Sequence, residues 1–268
     1  MPATPNPRRP VTINNQADTV GIILTTFNDR PLLETMVPSL VASMPDRYQY
    51  AILAVDAGST DGTIEYLQSQ GIRSYGPHLP AHVWDWPTGY LSQALNSSIK
   101  LYLYYDEDTQ KFRAKGYVGY LAWVHADMVF HEQGWLGKLV DILKADPTIG
   151  KLGPDNHDAP ALPPEQRLRA GNQCPWIMPV DALMALWEKD GMFFDEQFVH
   201  CGGYEDWDLN RRLIGLGRKV LIANDVRITH QGMGSRTQEH AETRGYHDAG
   251  RINAGLYQNK WGDGKPPC

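Results

Sequence analysis

Cysteine is scarce in this chain. Its 268 residues hold three, Cys174, Cys201 and Cys268, with no CxxC pair among them. That excludes a disulfide framework and a cysteine zinc site, and makes a reducing cytosol the expected compartment. Positive charge is in deficit, with 25 Lys and Arg against 31 Asp and Glu and a net charge of −6. That argues against a partner gripped over a wide surface by phosphate neutralisation and leaves room for a local basic pocket. Long apolar runs are missing too: none approaches the roughly 18 residues of a membrane span. The opening MPATPNPRRP lacks the apolar centre of a signal peptide, so the expectation is a cytoplasmic protein that meets any lipid-linked substrate from the membrane surface. No internal repeat occurs, and residues 1–17, rich in Pro, Asn and Arg, read as a flexible arm. What is present is an ordinary globular mixture, 42% hydrophobic and 21% charged, able to bury a real core.

Two strand, turn and helix units open the chain. Val20 to Leu24 is a short apolar run, followed by a polar turn over Thr25 to Asp29. Leu33, Met36, Val37, Leu40, Val41 and Met44 then recur at helical spacing behind an Asp29 N-cap. The pattern repeats with Tyr50 to Val55, a turn over Asp56 to Ser59, and a helix carrying Ile64 and Leu67 behind an Asp61 cap. Strands alternating with helices imply parallel pairing, right-handed crossovers and ligands at the carboxyl ends of the strands. Farther on, the sequence predicts a helix over Leu91 to Leu103, a loop over Tyr105 to Gly116, and a strand over Tyr117 to Val124 that ends in His125, Ala126 and Asp127. A helix holding Trp135, Leu136, Leu139 and Ile142 follows. Beyond Gly150 come a Pro-rich loop (154–164), a strand near Cys174 to Met178, a helix near Asp181 to Glu188, and Gly202-Gly203-Tyr204-Glu205-Asp206-Trp207-Asp208 opening another helix. The expected class is α/β, a mostly parallel central sheet flanked by helices, with the later half forming the second side of a cleft.

Four segments carry chemistry. His125 and Asp127, two apart on a strand, would share a face and point into the mouth of the sheet. A carboxylate there can hold Mg²⁺ or Mn²⁺ bridging to a diphosphate, and it can equally be a turn residue or helix cap. Glu205, Asp206 and Asp208 crowd a helix start, where the dipole favours anions, and Asp208 with Arg212 makes an i,i+4 pair. Glu205 and Asp206 follow two glycines that admit a close approach, and a carboxylate in a partly dry cleft can take a proton from an alcohol. His230 ends the alternation Val226, Ile228, His230; it is either a core histidine bonded to backbone or a neutral imidazole joining Asp127 on a metal. In Asp56-Ala57-Gly58-Ser59-Thr60-Asp61-Gly62-Thr63 the cap accounts for Asp61, leaving Asp56 at the strand end for a base or ribose. Trp84 and Trp86 can stack on a ring or cover a core edge. Arg236, Arg244 and Lys260 offer positive charge to a diphosphate, or form a solvated face.

In order and spacing, these segments resemble a family 2 glycosyltransferase of the GT-A fold, over roughly Val20 to Gly262. The turn TTFND (25–29) resembles that family's nucleotide-binding opening, and VDAGSTDGT (55–63) its second-strand motif. HADM (125–128) stands where the family keeps its DxD metal motif. YEDWDLNRRL (204–213) followed by ITH (228–230) resembles the acceptor-side segment of rhamnosyltransferase-like members. The resemblance implies that Thr25, Phe27 and Asp56 contact the nucleotide, with Asp56 near the base, and that Arg236 and His125 serve the donor. It implies Asp127 and His230 as ligands of Mn²⁺ or Mg²⁺, Asp206 as general base and Glu205 as its acceptor-orienting partner. It divides the chain into a nucleotide-binding half (18–130), an acceptor half (131–230), a closing segment (231–262) and a tail (263–268). Two positions depart from the family pattern: His125 replaces the first Asp of DxD, and Ala57 replaces an acidic or amide residue.

The activity expected is a metal-dependent, inverting transfer from a nucleoside diphosphate sugar to a hydroxyl of a glycan, lipid-linked sugar, protein, metabolite or modified base. A sugar-1-phosphate nucleotidyltransferase would show a Gly- and Lys/Arg-rich loop after the first strand, where this chain has Thr-Thr-Phe-Asn-Asp. The other alternative is a nucleotide-sugar-binding module without turnover, motivated by His125 and Ala57.

Overall fold

The computed structural model describes residues 18–44, 47–75, 91–106, 108–109, 111–112, 118–156, 168–171, 174–198, 203–231 and 246–262. In chain order its first half comprises β1 (Thr19–Thr26), α1 (Arg30–Ser43), β2 (Gln49–Asp56), α2 (Thr63–Ser69), β3 (Arg73–Tyr75), α3 (Leu91–Leu103), β4 (Tyr105–Asp106), β5 (Lys111–Phe112), β6 (Tyr120–His125) and β7 (Met128–Phe130). The second comprises α4 (Trp135–Ala145), β8 (Ile149–Asn156), β9 (Leu168–Ala170), β10 (Trp176–Pro179), α5 (Val180–Asp190), α6 (Glu205–Gly215), β11 (Lys219–His230) and α7 (Tyr246–Trp261).

Val20, Ile22, Ile23 and Leu24 are all fully buried, so β1 is apolar on both faces, as an interior strand covered by helices must be. It pairs in parallel with β2 on one side and β6 on the other. The sheet runs β3-β2-β1-β6-β10-β8-β11-β7, with β9 also on β11. β10 is antiparallel to both β6 and β8, which restores β8 and its parallel partner β11 to the direction of β1. The carboxyl ends of β1, β2, β6 and β11 therefore open at one edge, and the start of β10 lies there too. One core, with α1 and α4, covers the face bearing Ile22, Leu24, Ala122 and Val124. The other, with α3, α5 and α6, covers Ile23, Leu121, Trp123 and Trp176. At Gly21 the packing admits no side chain: a Cβ would stand 2.6 Å from Leu121 and 2.8 Å from the Tyr102 ring of α3.

Several expectations need correction. The Tyr105 to Gly116 loop holds a small antiparallel ladder, β4 with β5. The strand foreseen from Tyr117 begins at Tyr120. The sheet itself is mostly parallel as expected, with β1, β2, β3, β6, β8 and β11 in one direction and β7, β9 and β10 opposed to them. β8 occupies the start of the supposed Pro-rich loop, Pro154 included. The arm (1–17), Trp84, Trp86, Arg236, Arg244 and the tail (263–268) lie outside the described residues. Among the described residues no helix is long and apolar enough to cross a membrane.

Candidate metal centre and active site

The turns after β1 and β2 interlock. Asn28, with a left-handed backbone at φ 52°, donates its N–H to Ser59 Oγ at 2.8 Å and accepts the Thr60 N–H at Oδ1 at 2.8 Å. The N-cap position of α2 falls to Gly62, not to Asp61 as expected; Asp61, one residue earlier, accepts the Thr63 N–H with one oxygen and the Arg30 N–H at the start of α1 with the other. Asp29 occupies the N-cap position of α1 without capping it. Its Oδ2 turns back to the Phe27 N–H at 2.9 Å and the Thr26 hydroxyl at 3.2 Å. Asp56 is fully buried and holds its own turn, accepting the Gly58 and Ser59 N–H groups and the Ser59 hydroxyl. A carboxylate offers about four acceptor sites, and three are used here. Thr25 Oγ1 accepts the Trp123 indole N–H at 3.0 Å, and Phe27 is half-buried beside it in sequence.

Burial pushes the Asp29 carboxyl from 3.8 to about 6, helped by the charges of Asp127 and Asp61 and opposed by its bonds from Phe27 and Thr26. Below the unfolded-chain value, both states are protonated and the shift has no effect. As pH rises through about 6 the fold must hold an ionised carboxylate, and the stability present in acid is lost. Asp29→Asn removes this dependence. In chelator, its urea stability should match the parent near pH 4 and exceed it by up to about 3 kcal/mol at neutral pH, since each pKa unit is worth about 1.4 kcal/mol. A difference independent of pH would contradict the assignment.

β6 ends at His125, and Ala126 and Asp127 form the turn into β7. The two side chains are thus not strand neighbours on one face, as the sequence suggested. The turn and the β7 to β11 ladder bring them together. His230 pairs with Met128, and the Gln231 N–H donates to the Asp127 carbonyl at 2.9 Å. His230 Nε2 then lies 3.3 Å, and His125 Nδ1 4.0 Å, from Asp127 Oδ1. One ligand atom from each of the three residues falls within 4.8 Å of the others. Ligands sharing an ion at about 2.0–2.2 Å stand roughly 3–4.4 Å apart, so one oxygen and two nitrogens fit a divalent cation with little adjustment. His125, read from sequence as a donor contact, thereby joins Asp127 and His230 as a third candidate ligand.

Cys174, just ahead of β10, faces the other side of the His125 ring, its Sγ 3.4 Å from Nε2. Burial raises its thiol well above 9.0. The Lys151 charge opposes that shift, while those of Asp206, Asp127 and Glu205 add to it. Through that contact with His125 the thiol adjoins the candidate metal cluster. The site continues at the start of α6. There Gly203 and Tyr204 adopt left-handed backbone, φ 80° and 75°, and launch Glu205, which is buried, and Asp206, which is half-buried. Asp206 Oδ1 accepts the Trp207 N–H at 2.8 Å.

Asp208 is spoken for by α7: Lys260 Nζ and Trp261 Nε1 each lie 2.8 Å from its Oδ1. Its i,i+4 contact with Arg212 is longer, 3.6 Å, because the guanidinium is directed to Asp190 and the carbonyls of Met192 and Phe193. Lys260 also pairs with Asp195 at 2.6 Å, so its charge is balanced by two carboxylates of the fold. α7 holds the launch turn as well, since fully buried Asn253 donates to the Gly203 carbonyl at 2.9 Å. Tyr257 packs against Tyr204 and Trp207, with ring centroids 5.6 and 5.9 Å away.

Sequence reading missed Lys151. Fully buried on β8, it donates to Asn210 of α6 at 3.0 Å and lies 5.4 Å from the Trp176 ring centroid. A lysine inside the run Ile149 to Leu152 was the available signal. It also missed Cys174, for which no local pattern exists.

No family model matches the chain, and no curated protein sequence matches it. Solved structures do. A mannosyltransferase from Pyrobaculum calidifontis, in complex with GDP-Man and Mn²⁺, is similar at TM-score 0.60 and 17% identity over 95% of this chain and 67% of that one. Mycobacterium tuberculosis glucosyl-3-phosphoglycerate synthase, in complex with phosphoglyceric acid, is similar at 0.58 and 17% over 96% and 87%. S. aureus TarS 1-349 with UDP-GlcNAc is similar at 0.56 and 13% over 90% and 67%, whereas the chain spans 36% of a longer TarS. At such identities the likeness establishes architecture: the chain has the GT-A fold.

Proposed function

We propose that the protein is a metal-dependent, inverting glycosyltransferase that moves a sugar from a nucleoside diphosphate sugar to an acceptor hydroxyl. The observation that carries this reading is the gathering of His125, Asp127 and His230 at the carboxyl edge of a GT-A sheet. Similar structures hold GDP-Man with Mn²⁺, and UDP with GalNAc and Mn²⁺. Asp127, His230 and His125 would hold the cation, which supplies positive charge to a leaving diphosphate. Thr25, Phe27 and Asp56 line the nucleotide end. Glu205 orients the acceptor. Asp206 takes the hydroxyl proton as that oxygen bonds the anomeric carbon, and the bond from this carbon to the diphosphate breaks in line.

The direct test incubates the protein with UDP-, GDP- and dTDP-sugars and Mn²⁺ while following nucleoside diphosphate release. Transfer or slow donor hydrolysis abolished by EDTA is expected. Tight nucleotide-sugar binding with no release over hours would turn the reading towards a binding module.

A further inference from the structure

Resting on that reading, we propose that His125 makes the site selective for first-row transition ions of the Mn²⁺ and Co²⁺ type over Mg²⁺. Magnesium holds its waters tightly and is bound through carboxylates and substrate phosphates, while imidazole nitrogen suits transition ions better. Of the three candidate donors here only Asp127 supplies oxygen, and it brings a single negative charge. Aspartate at position 125 would supply a second of each.

The imidazole is built in as a ligand. Its Nδ1 is the nitrogen towards Asp127, at 4.0 Å, while Nε2 rests against Cys174 Sγ at 3.4 Å. The Trp123 ring packs edge-on against it with centroids 4.4 Å apart, and the His230 ring closes the other side at 5.6 Å. A ligating histidine held at its second nitrogen keeps one ring orientation, and such outer contacts tune metal affinity. His125 therefore has little freedom to swing out and leave a water-rich, oxygen-only site for Mg²⁺.

The experiment titrates the intact protein with Mn²⁺, reading free Mn²⁺ by electron paramagnetic resonance, with and without UDP or GDP, and then competes with Mg²⁺ or Co²⁺. The parent should require about 100-fold more Mg²⁺ than Co²⁺ to release Mn²⁺. His125→Asp should narrow that ratio to about tenfold or less and change the visible Co²⁺ absorption as a nitrogen ligand is lost. Mg²⁺ that displaces Mn²⁺ from the parent as readily as Co²⁺ does overturns the inference without the variant and leaves the enzymatic reading standing. An unchanged ratio in a folded His125→Asp protein overturns it too. Failure to bind Mn²⁺ under any condition removes both readings.

Discussion

Asp206→Asn is expected to cut turnover by about 10²–10⁴-fold, the usual worth of a general base, while metal-dependent nucleotide affinity stays unchanged. The substitution is close to isosteric, and the amide oxygen can still accept the Trp207 N–H that Asp206 Oδ1 accepts now. What the amide cannot do is take the acceptor's proton. Single-turnover transfer, alongside nucleotide titration calorimetry, separates the two effects. A variant that transfers within a fewfold of the parent would remove Asp206 from the role. Glu205, buried one residue earlier, would then be the next carboxylate to test.

The second large effect is at Asp127. Its carboxylate is the only oxygen donor of the candidate triad and lies 3.3 Å from His230 and 4.0 Å from His125. Changes merely behind a metal ligand commonly cost 10–100-fold in metal affinity, so Asp127→Ala should weaken Mn²⁺-dependent nucleotide binding by at least about 100-fold. The fold should survive, because the Gln231 N–H bonds the Asp127 backbone carbonyl, which alanine keeps. Losing this carboxylate also relieves Asp29, whose ionisation Asp127 opposes. Metal-free Asp127→Ala should accordingly melt no lower than the parent at neutral pH. Calorimetry showing equal Mn²⁺-dependent affinity would contradict the assignment.

Much of this was legible where the physics is local. α3 spans Leu91 to Leu103 as its periodicity indicated, and the apolar run of β1 and the spacing of α1 were equally plain. Asp127 and His230 were singled out from their places at strand ends. The geometric ground for pairing His125 with Asp127 failed, because a turn begins at Ala126 and the cluster is assembled by pairing β7 with β11. That contact joins residues about a hundred positions apart and leaves no trace in any short window. β8 was hidden for the opposite reason: Pro154 placed its second half in a Pro-rich loop, and only the partners on either side, β10 and β11, make it a strand. Buried Lys151 finds its compensation in Asn210 and Trp176, which lie on other elements. The cap foreseen at Asp29 failed for a related reason, since the first α1 amide is served by Asp61, a carboxylate from the following turn.

The grip of α7 on Gly203 has a mechanical implication. The peptide bearing that carbonyl lies three residues ahead of Asp206, in backbone whose left-handed turns have no slack of their own, and a single amide from Asn253 restrains it. Strain applied to the final helix would thus reach the proposed proton acceptor first, while the candidate cation cluster hangs from β6, β7 and β11 and would feel it only through the packing of α6 on the sheet. The proposed base thus has an anchor on α7 that the cation cluster lacks, and the two meet where α6 packs on β8 and β11.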